Sequence, residues 1–294
     1  MFQHKPSTFA RPLSSLSLAA ALAALPALAG CDENKKLSEQ GAADEVAQLA
    51  PVVKEDVEQI RKGLPEGAKK LAALDADTLS APAALQKAVA GARASVPDLA
   101  IAKSTFFSYV DATGTVVRSE GDPDLLAGKS VVKALPGLQK ALDPASGNVE
   151  VFGEMPEMRG VKTGPDLAWA VGHPIKDDKG AVKGMFLTGW SFRAFAYHLE
   201  LTAKRHVADA AQKAGKKLNP IVYVFAVKGK TAYGAPLTPD VNAQAIEGLN
   251  VVEKTAGGPF HTSLEITGRV FGAAAQRTPE LGDDAAVAVL LSEI

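Results

Sequence analysis

The sequence predicts an α+β fold: a long N-terminal helix, then two similar units, each an antiparallel sheet with helices on one side. Three observations predict it. Apolar residues first recur at steps of three and four, the period of a helix buried along one stripe. From Phe106 the period changes to two, as on a strand with one buried face. A strand pair, a crossover and further strands then recur after a helix that opens near Ser191. With 294 residues, 47% hydrophobic, and a formal net charge of −1, the composition is that of an ordered globular chain. Such balanced charge builds no cationic field for phosphate backbones, so nucleic acid is not an expected partner. One cysteine excludes an internal disulfide, a thiolate zinc site and an iron–sulfur cluster.

Residues 1–30 read as a targeting segment. His4, Lys5 and Arg11 make a basic start, and an apolar stretch runs from Leu13 to Leu28, broken by serines and Pro26. It falls short of the ~20 apolar residues of a membrane span. Its end, Leu28-Ala29-Gly30-Cys31, resembles the lipobox of bacterial lipoproteins, in which cleavage before the cysteine makes it the lipidated first residue. The alternative is an ordinary signal peptide cut after Ala27-Leu28-Ala29, leaving a free thiol. The resemblance implies palmitate and related acyl chains at Cys31, and a periplasm-facing protein held to the cell membrane by its N-terminal lipid. Asp32 resembles the enterobacterial signal for inner-membrane retention, which favours the inner over the outer membrane. Loss of Lys5 and Arg11 leaves the mature surface net acidic, so the acyl chains must do the anchoring.

Residues 31–105 are read as a tether and a long helical segment. Asp32 to Lys36 are polar, and Ser38 is placed to cap the helix that follows. Val46, Leu49, Val53, Val57, Ile60 and Leu64 form the helical stripe, with Pro51 expected to bend or break it. A second helix is predicted from about Ser80 to Val96, with Pro82 in its first turn.

The first, membrane-distal unit spans 106–190. Phe106 to Val110 and Thr115 to Arg118 are strands about the turn Asp111-Ala112-Thr113-Gly114. Asp122 to Ala145 is a helix-compatible connection, Gly147 to Phe152 a strand, and a loop rich in Gly, Pro and Met runs to about Pro165. Leu167 to Ile175 and Ala181 to Trp190 form a hairpin around a short polar loop. The linking helix, 191–218, is capped by Ser191 and ended by Gly215. The second, membrane-proximal unit, 219–294, repeats the plan. Its strands are Pro220 to Val227, Thr231 to Gly234, Phe260 to Thr267, Arg269 to Gln276 and Ala285 to Leu291, with a helix opened by Thr238-Pro239-Asp240 and running to about Leu249.

The long helix, the Val110-Asp111-Ala112-Thr113-Gly114 turn and the Gly172-His173-Pro174-Ile175 to Gly184 hairpin resemble a double Cache domain. That family is an extracytoplasmic sensor in which two PAS-like units share one long helix, and the likeness covers Ser38 to Ile294. Members commonly sit between two membrane spans and feed a kinase, a chemoreceptor signalling region or a cyclase. With no second span and no output domain before Ile294, the resemblance implies a freestanding binding module acting through a membrane kinase or chemoreceptor. It implies no ligand class, because the Tyr, Arg, Trp and Tyr series of the amino-acid-binding branch is not placed here.

Little in the sequence builds catalysis. Leu125-Leu126-Ala127-Gly128-Lys129-Ser130 imitates the end of a phosphate-binding loop, but Pro123 stands where that loop needs glycine. His198 and His206 lie two helical turns apart, too far to share a metal; no cysteine can join them and no third carboxylate is evident, so the histidines read as solvated or core-edge. Asp177-Asp178 and Asp283-Asp284 read as solvated turn residues. No cofactor, no metal and no enzymatic activity is expected. What remains is a small-molecule pocket in the first unit. Phe107, Tyr109, Trp169 and Trp190 alternate in step on its strands, where they form either core or cavity wall. His173 shares the face of Trp169, and Arg118, Glu154 and Arg159 are the charged candidates for anchoring a polar ligand. The leading reading is a lipid-anchored small-molecule sensor. The alternative is a scaffold or interaction lipoprotein that kept the fold without a ligand.

Overall fold

The computed structural model describes residues 25–155, 166–215 and 220–292, with side chains from Glu33 onward. The targeting residues to 24, the side chain of Cys31 and Arg159 lie outside the described residues.

The first element, α1 (Leu25–Ala72), is a single helix of 48 residues. Two expectations are corrected by it. The polar stretch 32–37, read as a short tether, is part of the helix, and Ser38 lies inside the helix, not at its cap. Pro51 and Pro65 both lie within it as well. Pro51 faces solvent, and the stripe on the opposite side is fully buried: Val46, Leu49, Val53, Val57, Ile60 and Leu64 are at most 1% exposed. Each such side chain contributes about 1.5–3 kcal/mol of transfer free energy. Packing along the stripe therefore outweighs the ~3 kcal/mol that an interior proline costs.

Two short helices, α2 (Ala76–Ser80) and α4 (Pro97–Ile101), flank α3 (Pro82–Ala94), which starts on Pro82 and buries Leu85, Val89 and Ala92. The first sheet then begins with β1 (Phe106–Asp111) and β2 (Val116–Ser119). Their turn is held by Asp111, whose Oδ1 accepts from the backbone N–H of Thr113 and Thr115, while Gly114 takes φ +80°. The connection to the next strand carries only α5 (Val131–Ala134) and a 3-10 turn, Pro136–Leu142, less helix than its composition suggests. The sheet is completed by β3 (Val149–Glu154), β4 (Leu167–Lys176) and β5 (Val182–Ser191).

A linking helix, α6 (Phe192–Lys213), is capped by the Ser191 side chain, which accepts from the Ala194 N–H. The second unit follows with β6 (Ile221–Lys228), β7 (Thr231–Gly234), α7 (Asp240–Gly248), α8 (Val251–Lys254), β8 (Phe260–Ile266), β9 (Arg269–Arg277) and β10 (Ala285–Ser292). The strand orders are β2-β1-β5-β4-β3 and β7-β6-β10-β9-β8, all antiparallel. The repeat expected from the alternating pattern is thus a repeat of topology, strand for strand.

One apolar cluster runs along α1 and takes in α3, α6 and the facing side of both sheets. The other face of each sheet carries its own smaller cluster, under α5 and the 3-10 turn in the first unit and under α7 and α8 in the second. The two units also touch through polar groups. Arg61 on α1 donates from Nε and Nη2 to Glu150 of β3 at 2.7 and 2.9 Å, and from Nη2 to the Glu280 carbonyl at 2.8 Å. Lys228 of β6 lies 4.1 Å over the Phe152 ring of β3.

Candidate functional site

On β4 the odd positions turn toward α1. Trp169, Val171 and Ile175 are fully buried there, together with Phe107 and Tyr109 of β1 and Trp190 of β5. Trp169 and Trp190 lie 4.3 Å apart between ring centres, and Trp190 stacks on Phe195 of α6 at the same distance. Of the two roles the alternation allowed these aromatics, the structure places them in the core. The small even positions, Ala168 and Ala170, face the other way into the smaller cluster.

His173 meets Asn148, with Nδ1 2.8 Å from Oδ1, and burial pushes its pKa down to about 4, helped by Lys176 and Lys69. The ring is therefore neutral at pH 7. Arg118 extends Nη2 to Gln86 at 3.3 Å and stands 3.7 Å from Asp124. That aspartate organises the next loop, accepting from the backbone N–H of Ser119, Leu126 and Ala127. Arg118 thus acts on a loop and not on an open pocket. Glu154 ends β3 in an exposed position.

The loop that Asp124 organises frames a cavity of about 390 Å³ on the outer side of the first sheet. Its walls are Leu126, Val131, Ala134 and Met155, and its polar groups are Lys129, Ser130 and Lys133. Backbone bonds zip this rim to β2: Val116 N donates to the Lys129 carbonyl, Gly128 N to the Val116 carbonyl, and Val131 N to the Gly114 carbonyl. Gly128 takes φ +78°, which lets the loop reverse there. Apolar walls with two ammonium groups and a hydroxyl suit a small molecule with an apolar body and an anionic end. The sequence-based candidates missed these lining residues. Their one visible signal was Gly128-Lys129-Ser130, set aside because it does not complete a nucleotide loop. Among the described residues no group of three or more His, Cys, Asp or Glu is placed to hold a metal.

No family model matches the sequence, and no curated protein matches it. Solved structures do. The extracellular domain of vpHK1S-Z8, described as a histidine kinase, matches with a TM-score of 0.54 at 10% identity, over 89% of this chain and 93% of that one. A domain described as sensory box/GGDEF family, from Vibrio parahaemolyticus, matches with 0.52 at 11%, over 88% and 97%. The ligand-binding domain of the Campylobacter jejuni chemoreceptor Tlp3, in complex with 4-methylisoleucine, matches with 0.50 at 11%, over 88% and 92%.

The fold is the tandem PAS-like α+β fold of these domains. At these identities the likeness concerns architecture alone. The tandem PAS-like chain also covers 39% of an extracellular ligand binding receptor from Desulfohalobium retbaense DSM5692. Among its described residues, no helix is long and apolar enough to cross a membrane.

Proposed function

We propose that this protein is an extracytoplasmic small-molecule sensor of the double-Cache type. It is anchored to the cell membrane by lipid on Cys31, faces the periplasm, and acts through a membrane kinase or chemoreceptor. The observation that carries the sensing role is the 390 Å³ cavity of the first unit, with Lys129, Ser130 and Lys133 on otherwise apolar walls. The anchor is supported by Leu28-Ala29-Gly30-Cys31, and retention at the inner membrane by Asp32. The role we read is binding, supported by the apolar walls and cationic rim of that cavity. The ligand class is a small carboxylate or similar anion. Burial of its apolar body supplies affinity, and the ammonium groups supply orientation.

A thermal-shift screen with organic acids, amino acids and polyamines tests the proposal. An organic or amino acid at 100 times its dissociation constant should add ~2.7 kcal/mol of stability. Ala134→Trp, which fills the cavity, and Lys133→Glu, which reverses one charge, should each abolish that shift. If no compound class moves the transition, the ligand-free scaffold reading stands in its place.

A further inference from the structure

α6 packs on α1 through a seam that holds two imidazole–carboxylate pairs. His206 Nδ1 lies 2.9 Å from Glu45 Oε1, and His198 Nε2 lies 3.1 Å from Asp56 Oδ2. The acids stand about three turns apart on α1 and the imidazoles about two turns apart on α6, so the pairs follow one line. This is what the two histidines do in place of sharing a metal. The carboxylates are the deeper partners, with side chains 3% and 8% exposed against 32% and 22% for the imidazoles. A cavity of about 320 Å³ opens beside the Glu45–His206 pair.

The surroundings supply no compensating cation. Among the described residues, no lysine or arginine lies within ion-pair distance of Glu45 or Asp56. Around Glu45, Asp44 is exposed and bound by Gln40, Gln48 donates to the Asp44 carbonyl, and Leu291 and Pro220 are apolar. Around Asp56 and His198, Gln59 is bonded to Glu55, Glu200 to Lys204, and Arg205 to Thr202. The sheets offer Trp190, Val222 and Val224, and burial pushes the Tyr233 hydroxyl up from its ordinary value. At the solvent end of α1, His261 of β8 repeats the pairing with Glu39, but its side chain is 58% exposed and the pair is screened.

With neutral imidazoles, each pair buries one net negative charge. Taking up one proton, on either partner, makes the pair neutral overall. Burial already pushes the Glu45 carboxyl up from its ordinary value, against the opposing pull of His206. We propose that the Glu45–His206 and Asp56–His198 pairs form a proton-operated clasp that tightens α6, and the second sheet behind it, onto α1 when a pair takes up a proton. The clasp does not depend on the ligand cavity, which lies on the far side of the first sheet. A failed ligand screen therefore leaves it standing.

The test compares wild type with Glu45→Gln/Asp56→Asn, which removes the buried charge at every pH. Urea unfolding at pH 8 and pH 6 should show the wild-type folding constant gaining about tenfold more on acidification than the variant's. Amide exchange along α6, corrected for its intrinsic pH dependence, should slow on acidification in wild type and not in the variant. Equal pH responses in the two proteins would overturn the clasp. Should the variant fail to fold, wild-type exchange alone decides, because an α6 that is no better protected at pH 6 than at pH 8 overturns it too.

Discussion

His173 shows what a single residue can hide. Its place on β4 was readable from alternation, but its partner was not. Asn148 sits just ahead of β3, accepts from the imidazole Nδ1–H through its Oδ1, and donates from its Nδ2 to the Arg61 carbonyl on α1. Two elements far apart in sequence therefore orient one ring. Because the folded pKa is about 4 and the free value 6.5, the fold holds the neutral ring. The stabilisation is complete above pH 6.5 and is lost as the pH falls from there toward 4. After allowance for partial exposure, the loss should be on the order of 1–2 kcal/mol, and His173→Gln should remove it. Urea unfolding at pH 7 and pH 4.5 measures this; an unchanged acid limb in the variant counts against it. The same limit explains the missed cavity. Lys129, Ser130 and Lys133 are ordinary surface residues until Asp124 and β2 fold their loop into a rim.

At the scale of elements, local signals were legible and tertiary ones were not. Asp111 with Gly114, Asp177 with Gly180, and Ser191 each specify a turn or cap within a few residues, and the structure places all three as expected. The break that Pro51 offered does not occur, because its cost is local, while the support for α1 comes from two sheets. Contact between helix and sheet is close enough to dictate residue size. At Gly272 of β9 a Cβ would run into the Ser38 carbonyl of α1. Gly272→Ala should therefore cost about 1–3 kcal/mol through overpacking. Gly147→Ala, where an added Cβ meets nothing, should stay within about 0.5 kcal/mol. Thermal unfolding of the two variants checks the contrast, and equal midpoints would refute it.

For the whole molecule, the duplicated plan was readable because period-two runs survive divergence of the residues that compose them. The order of strands across each sheet was not, since pairing between distant strands leaves no mark on spacing. Membrane attachment also belongs to this scale, because it sets where the entire body works. Cys31→Ser should abolish incorporation of labelled palmitate and release the protein to the soluble fraction; continued labelling would remove the lipid anchor from the proposal. Arg61 grips β3 of one unit and a carbonyl of the other from the same helix, and a single apolar cluster spans both sheets. Duplication has therefore not produced two detachable modules. Each half lacks a complete floor of its own, and cutting the chain between them would strand an oily surface on both pieces.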